Sequence, residues 1–553
     1  MAKQAIKVIS LGGVGEVGKN STLIQYGSDM VLIDAGVMFP EEEMLGVDLV
    51  IPDFTYVQKN VDRLRGILLT HGHEDHVGAV PYLLRILNRR VPIYGSVLTL
   101  GLLKPKLKEF RVTKLADLRP VEGRLSYRFG SLEVEFIRVS HSVPDARGLA
   151  INSPVGRIVM TGDFKFDEAP EGAALTEVDR LRQIGDLGVL ALLSDCVRVE
   201  QVGRTPPEKV VSEALQRIIR EAPGRVILTT FASNITRLDQ VTRVASMFNR
   251  RVAVVGRSME DSVKVAQELG YLRPPVGTIV ALRETRGLPN NRVLLLVAGS
   301  QGEPASALAR MATGDHPQVK IIPGDTVIIS ATPVPGNEET VARTIDNLFR
   351  RGAVVVYRDV VPDIHVSGHA SRDELKDMIS LVRPKFCMPL HGEYRHMVLY
   401  QALASETGIP PERVLLAEIG DVVEITPELA RKKGRVPSGS VLVDGLTLGV
   451  TQTVLRERGK LAEDGILIAA VVVDRETGSI LGGPDLLARG FVYRDEADLF
   501  KRGRAHVLRA LKRQLRGQAE YGFIVGKVKD VLGKFIYEQT KLQPLILPVV
   551  TEV

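Results

Sequence analysis

Apolar residues in the first four hundred or so positions fall into short runs, each closed by Gly, Asp, Ser or His. Ile6-Lys7-Val8-Ile9-Ser10, Ser21 to Tyr26, Val31-Leu32-Ile33, Gly66 to Thr70, Val134 to Ser140, Arg157 to Gly162 and Phe386 to Leu390 all read as strands. Between 200 and 355 the pattern alternates. Glu208 to Glu221 and Glu260 to Leu269 have helical spacing, whereas Arg225 to Thr229 and Arg251 to Val255 read as strands, so this part is expected to be α/β with parallel strands. Beyond about residue 450 the pattern predicts an α+β tail. There Ile466 to Val473 is expected as a buried strand, and a helix carries Val507, Leu508, Leu511 and Leu515 on its apolar side.

One local pattern invites a different reading. Gly13-Val14-Gly15-Glu16-Val17-Gly18 is a formal GxGxxG after a strand. The next segments are strand, Gly27-Ser28-Asp29 turn and strand, which leaves no room for the crossover helix of a dinucleotide site. A tight turn is expected instead.

Composition narrows the class. With 553 residues the chain can build several cores, and 44% hydrophobic with 25% charged residues is a soluble globular balance. No run reaches the roughly 18 apolar residues of a membrane span, and Met1-Ala2-Lys3-Gln4 leads into strand sequence without a secretory apolar region. Cys196 and Cys387 are the only cysteines, too few for a disulfide framework, and they suit a reducing cytoplasm as core fillers. The net charge of +6 is too small to signal nucleic acid, and the ten Lys/Arg against two acids between Lys501 and Lys534 read first as a solvated helix face.

The chemistry is concentrated in His71-Gly72-His73-Glu74-Asp75-His76, which follows the run ending at Thr70. Imidazole nitrogens and carboxylate oxygens suit a zinc-class cation. The spacing asks for two ions: His71 and His73 share one side of an extended loop, while Asp75 and His76 enter the next helix and face a neighbouring site. His141, Asp163 and His391 each follow a strand-like run and are expected at the same sheet edge. Asp34, after Met30 to Ile33, is expected to hydrogen-bond a histidine ligand and fix its tautomer.

An early Asp, HxHxDH, a His, an Asp and a last His, in that order, resemble the metallo-β-lactamase fold. The long interval from Asp163 to His391 indicates a domain-sized insertion. Leu193-Ser194-Asp195, Thr229 to Asn234, and His365-Val366-Ser367-Gly368-His369-Ala370-Ser371 within it resemble the β-CASP nucleases, with bacterial ribonucleases J the nearest match. Gly36 to Asp53, Gly299 to Pro304 and Pro335 to Glu338 fit as well, and the likeness runs from about residue 6 to the C-terminus. Two departures stand out: Cys196-Val197-Arg198 replaces small polar residues after Asp195, and Thr236 stands where a His is common.

The resemblance implies an αββα sandwich over 1–200 and 355–425, interrupted by an α/β β-CASP domain at 201–354. A linker at 426–449 and a small α+β domain at 450–553 would follow. It also implies a division of labour at the centre. His71, His73 and His141 would hold one divalent ion and Asp75, His76 and His391 the other, with Asp163 bridging; Zn2+ is expected first and Mn2+ as the alternative.

His369, oriented by Asp195, would protonate the leaving oxygen or stabilise the transition state. The small residues of Ser367 to Ser371 look like a phosphate cradle with Phe231-Ala232-Ser233 as a second wall, and the resemblance places the 5′-monophosphate of single-stranded RNA there. The expected activity is then 5′-to-3′ exonucleolytic with internal cleavage, in RNA maturation and decay, by a cytoplasmic homodimer or higher homo-oligomer with partners from an RNA-degradation complex. A thiolester hydrolase would share the metal ligands but needs no insertion. A DNA-acting β-CASP nuclease shares both. A non-catalytic RNA-binding scaffold is disfavoured because every ligand and His369 are intact.

Overall fold

The computed structural model describes residues 5–41, 43–171, 174–303, 305–445, 447–475, 477, 479–514 and 521–553. The expectations at Met1 to Gln4, Pro304 and Leu515 lie outside them. Two compact units separate, one of Met1–Phe39 with Leu49–Val441, the other of Pro40–Asp48 with Leu442–Val553.

Two mixed sheets form the frame of the first unit. The eight-stranded sheet runs Ala430–Arg435, Asp421–Ile425, Ile6–Gly12, Ser21–Tyr26, Asp29–Ile33, Leu64–Leu68, Val91–Gly95, Ala116–Pro120. The six-stranded sheet runs Pro384–Leu390, Val189–Asp195, Gly156–Met160, Arg147–Ser153, Leu132–Arg138, Ser126–Phe129. Ile24, Val31 and Leu68 of the first sheet share one buried core with Phe136, Ile151 and Ile158 of the second. Helices Val178–Asp186, Arg372–Val382 and Tyr394–Glu406 add Ile184, Met378 and Tyr400 to the same core.

The inserted segment builds its own sheet, entirely parallel: Ile279–Val280, Arg251–Val255, Val293–Val297, Val226–Thr229, Thr326–Ile329, Val354–Val356. Central strands such as Val293–Val297 are buried on both faces, which is why they read as unbroken aliphatic runs rather than alternations. Helix Glu208–Glu221 turns Val211, Ala214, Leu215 and Ile219 inward, the spacing of one helical face, and each such burial is worth roughly 1.5–3 kcal/mol for a large aliphatic side chain. The sheet is buried by helices, and Arg257–Glu268 begins three residues before the expected Glu260.

Two expectations need correction. The stretch 426–449 contains strands Ala430–Arg435 and Ser440–Asp444, and the first extends the eight-stranded sheet by pairing with Asp421–Ile425. Its charged sequence hid it, because an edge strand with five exposed residues shows no apolar alternation. Ile466–Val473 is a strand, but only alternate residues are fully buried, since helices Glu496–Gln514 and Tyr521–Thr540 contribute to a core that reaches one face of its sheet. Val507 and Leu511 are buried there as expected, and Leu508 is half-buried. No described helix is long and apolar enough to cross a membrane.

Candidate metal centre

The candidate ligand residues sit just past strand ends. His71 follows Leu64–Leu68 by way of Leu69-Thr70, Asp163 follows Gly156–Met160, and His391 follows Pro384–Leu390 immediately. Adjacent parallel strands Val189–Asp195 and Pro384–Leu390 bring Asp195 opposite Leu390, so Asp195 and His391 emerge side by side. Asp34 (φ 60°) and His391 (φ 48°) both adopt the left-handed region, a conformation non-glycine residues rarely take and which concentrates at functional sites. The glycine turn proves to belong here too. Gly13 O accepts the His391 N–H at 2.6 Å, and Glu16 bridges to Gly392.

Tautomers follow from the partners. Asp34 accepts from Thr70 N and Thr70 Oγ1, each at 2.8 Å, and its Oδ2 lies 2.8 Å from His76 Nδ1. A carboxylate only accepts, so His76 Nδ1 carries the proton and Nε2 faces Asp163 Oδ2 at 3.2 Å. The Thr70 hydroxyl, already donating to Asp34, accepts from His71 Nδ1 at 3.1 Å, leaving His71 Nε2 bare. His141 Nδ1 donates to Gly368 O at 2.8 Å, which bares its Nε2 as well.

Those bare nitrogens converge. His71 Nε2 and His141 Nε2 lie 3.0 and 3.1 Å from His73 Nδ1, and 3.6 and 3.8 Å from Asp163 Oδ2. Asp75, His76, Asp163 and His391 form a second group, with Asp75 Oδ2 3.5 Å from His76 Nε2 and 3.6 Å from His391 Nε2. Asp163 belongs to both groups. Its Oδ1 accepts from His391 Nδ1 at 2.7 Å, but its buried Oδ2 has no hydrogen-bond partner.

Charges divide the site. Burial, reinforced by neighbouring histidines, holds His71 and His141 well below the usual imidazole range, and burial holds His73 at about 4. All three are therefore neutral donors at pH 7. Burial also opposes a charge on His76, but Asp163, Asp75 and Asp34 outweigh it and raise that imidazole well above its ordinary value. For His391 burial is again outweighed, chiefly by Asp163, and the value rises to about 9. Burial pushes the Asp75 carboxyl up, yet His76 and His391 more than offset it and hold it below the carboxylate range; Asp163 is likewise held low by His391 and His76. A buried carboxylate oxygen with no hydrogen-bond partner, beside the bare nitrogens of His71 and His141, is a donor set fitted to divalent cations, whose charge would replace the protons on His76 and His391.

His369 stands beside this shell. Its Nδ1 is 2.7 Å from Asp195 Oδ2 and 4.0 Å from Asp163 Oδ2, and its side chain keeps 22% exposure. Asp195 is held in turn by Val197 N on Oδ1, at 3.0 Å.

The rest of the 365–371 segment does not behave as small-residue spacing alone suggested. Val366 and Ala370 turn into apolar cores, so they offer a ligand only main chain. Ser371 is buried at the start of helix Arg372–Val382, its hydroxyl 2.9 Å from Thr205 Oγ1 and its N–H donated to Glu374 Oε2. Gly368 is small for another reason: a Cβ there would meet His141 Cε1 at 2.5 Å. His365 Nδ1 is buried without a partner, and Ser367 Oγ accepts from His369 N at 3.2 Å. Phe231, Ala232 and Ser233 are half-buried past strand Val226–Thr229, with Ala232 against the core that holds Val366.

Residues that pattern reading missed include Thr70 and Asn20. The Asn20 amide nitrogen lies 3.2 Å from Asp75 Oδ2 and 3.0 Å from His76 Nε2, and nothing in its local sequence marks it. The departures lie off the ligands. Cys196 Sγ contacts Leu390 O at 3.2 Å, and Thr236 is buried in helix Ile235–Met247 with its hydroxyl unpartnered.

Fold and site together define a metallo-hydrolase of the metallo-β-lactamase superfamily carrying a β-CASP insertion. Residues 14–195 match the metallo-beta-lactamase superfamily, 223–348 the ribonuclease J beta-CASP domain, 355–414 the Zn-dependent metallo-hydrolase RNA specificity domain and 453–553 the ribonuclease J C-terminal domain. The chain is 40% identical to ribonuclease J2 of Bacillus subtilis (strain 168), covering 99% of each, and 40% identical to ribonuclease J 1 of Streptococcus pyogenes serotype M3, covering 99% of this chain and 97% of that one. It belongs to the ribonuclease J family, whose members are metal-dependent hydrolytic nucleases. A protein of unknown function from Enterococcus faecalis V583 shares the fold over 76% of this chain and all of its own, with TM-score 0.53 and 16% identity.

Proposed function

We propose that this ribonuclease removes nucleotides from single-stranded RNA in the 5′-to-3′ direction, preferring 5′-monophosphate ends, and also cuts internally, in RNA maturation and decay. The observation that carries the reading is the His369–Asp195 pair, 2.7 Å apart and partly open to solvent beside the buried ligand shell. A nuclease must protonate a leaving ribose oxygen, and this pair supplies a proton donor outside the ligand set.

His71, His73 and His141 would hold one cation and Asp75, His76 and His391 the other, with Asp163 Oδ2 facing both; Zn2+ suits this set first and Mn2+ next. When bound, two such cations supply a hydroxide nucleophile at neutral pH and offset charge developing at phosphorus. The chain does the rest. Asp34 and Thr70 fix the faces that His76 and His71 present, Gly368 O fixes His141, and Asp195 fixes the His369 ring that delivers the proton. The 5′-phosphate is assigned to the main chain of Ser367 to Ala370 and the hydroxyls of Ser367 and Ser233, with His365 and Phe231 alongside. Mapping the products of 5′-monophosphate and 5′-triphosphate RNA, with and without chelator and with Zn2+ or Mn2+ returned, tests the reading. Metal-independent cleavage, or products shortened from the 3′ end, would refute it.

DNA is the alternative substrate, and a deoxy oligonucleotide of the same sequence is the control. We further assign the chain to a homodimer, a unit from which higher homo-oligomers and RNA-degradation complexes can be built. Within the C-terminal unit Leu487, Leu547 and Val549 stand about half exposed on the sheet of Ile466–Val473, Ile480–Arg489 and Leu545–Glu552, where Ile468 is paired to both Leu487 and Leu547. Such an apolar stripe is costly in water. Light scattering on the full chain and on a version ending at Val441 tests this: the shorter chain should lose mass to a monomer, and a fully dimeric one would exclude the tail.

A further inference from the structure

We infer that the first unit carries a second nucleotide-binding site, a basic cleft at the opposite end of the eight-stranded sheet from the metal centre. The cleft has a volume of about 610 Å³ and is lined by Lys7, Arg63, Arg431 and Lys433, together with Gln25, Tyr56 and Glu424. Topology sets the separation. Ser21 and Ile33 lie at the metal end of their strands, whereas Gln25 pairs with Met30 at the far end of that hairpin and Lys7 pairs with Gln25. At about 3.3 Å per residue the two ends are roughly 15 Å apart.

Charge and shape together favour a nucleotide. Lys7, Arg431 and Lys433 all look to the single Glu424 carboxylate, at 3.8, 3.9 and 3.1 Å. Arg63 makes its contacts to neutral oxygens, Gly27 O at 2.5 Å and Asn60 Oδ1 at 3.5 Å. Four cations against one acid leave the lining with an excess positive charge that phosphate oxygens would offset. Gln25 is nearly buried, and the amide orientation that satisfies both neighbours has its carbonyl accepting from Arg63 Nη1 at 3.2 Å and its NH₂ donating to Tyr56 Oη at 3.1 Å. That chain fixes the guanidinium and leaves the phenol free to donate. A phenol with its O–H free to donate and four cations around one cleft are groups that can stack a base, bond its edge and hold its phosphate. The exposed Ala430–Arg435 edge, unexplained by catalysis, thereby acquires a role. The ligand is a nucleoside monophosphate unit, either free or as part of an RNA strand, and only the choice of RNA as polymer rests on the nuclease reading.

The test uses the metal-loaded full chain and two variants, Arg63→Glu/Arg431→Glu and the milder Lys7→Gln/Lys433→Gln. Equilibrium dialysis with labelled adenosine 5′-monophosphate counts sites per chain. Fluorescence anisotropy follows a 30-nucleotide 2′-O-methyl RNA that resists cleavage. Either the bound nucleotide should fall by one per chain, marking a free-nucleotide site, or the affinity for the long RNA should fall about tenfold with a salt slope lower by about 1.4, as expected for about two lost phosphate contacts, marking a polymer site. Hydrolysis of a 5′-phosphorylated dinucleotide, too short to reach the cleft, should stay unchanged and certifies the fold; should the charge reversal not fold, the neutral variant is read alone. Unchanged dialysis and unchanged anisotropy in a folded variant would overturn the site. The dialysis arm needs no catalysis, so failure of the nuclease reading would be seen separately.

Discussion

The metal shell and the 365–371 segment lie side by side, yet they use their side chains in opposite ways. In the shell, polar atoms are aimed outward from a rigid frame: strand ends set the ligands, Asp34, Thr70 and Gly368 O orient three imidazoles, and the one buried atom left unmet is Asp163 Oδ2. In the segment most side chains are consumed by the fold. Val366 and Ala370 fill cores, Ser371 anchors a helix, and Gly368 makes room for His141. His369 is the exception, partly open and with Nδ1 2.7 Å from Asp195 Oδ2. The shell thus presents side chains held by a frame of further side chains and one carbonyl, whereas the neighbouring loop spends most of its side chains on packing and leaves mainly main chain exposed to a ligand.

The largest expected effect tests the shell. Asp163→Asn keeps shape but replaces one oxygen of the shared carboxylate with an amide, so metal content measured by mass spectrometry should drop and cleavage should fall by several orders of magnitude, towards the background rate. Thermal unfolding should remain cooperative, because apolar burial between the two sheets does most of the stabilising. Full activity with full metal content would exclude a bridging role for Asp163.

Next comes the exception in the loop. His369→Ala should slow cleavage by roughly a hundred- to ten-thousandfold, the range for a lost acid–base group, with metal content and RNA affinity nearly unchanged. Asp195→Asn should slow it less and shift the pH profile, because it acts on the imidazole rather than on the substrate. Equal losses in affinity and rate for His369→Ala would make it a binding residue.

What was legible in sequence follows the same division. The candidate shell stood out because metal ligands are side chains, and His71, His73, Asp75, His76, His141, Asp163 and His391 follow apolar runs; the structure brings all seven into two overlapping groups that could hold metal. Asn20 and Thr70 could not, since a side-chain amide or hydroxyl becomes a site residue only through a fold that brings it to Asp75 or Asp34. The loop was legible only as a motif. Small residues there suggested a phosphate cradle, but close packing on His141 and a helix start make the same demand for small residues. The edge strand Ala430–Arg435 escaped for a third reason: hydrogen bonding to one neighbour, not an apolar face, makes it a strand.

A smaller pair of effects sharpens the loop's side of the contrast. Ser371→Ala should cost about 1 kcal/mol in chemical unfolding, the usual loss for a helix-start hydroxyl, with little change in preference for 5′-monophosphate RNA. Ser367→Ala should do the reverse, lowering that preference several-fold with stability nearly unaltered. If Ser371→Ala alone erased the preference, its hydroxyl would have to leave Thr205 to meet the substrate.

The last effect appears only on acidification and concerns His365, whose Nδ1 is buried without a partner. Burial, with Arg237 nearby, holds this imidazole at about 3 rather than its ordinary 6.5. The sign follows from proton binding: between those values the unfolded chain holds a proton that the folded chain refuses, so stability is full above about pH 6.5, declines as pH falls, and levels off only near 3. Each step of one pH across that window is worth at most about 1.4 kcal/mol, and with part of the residue accessible to water a loss of about 2 kcal/mol by pH 4 is expected from this group. His365→Gln removes the titration, so its unfolding free energy should fall less steeply than that of the parent chain over this window, whatever its value at pH 7. Parallel curves for the two proteins would show that His365 gains its proton in the folded state, and that its buried nitrogen has found a partner.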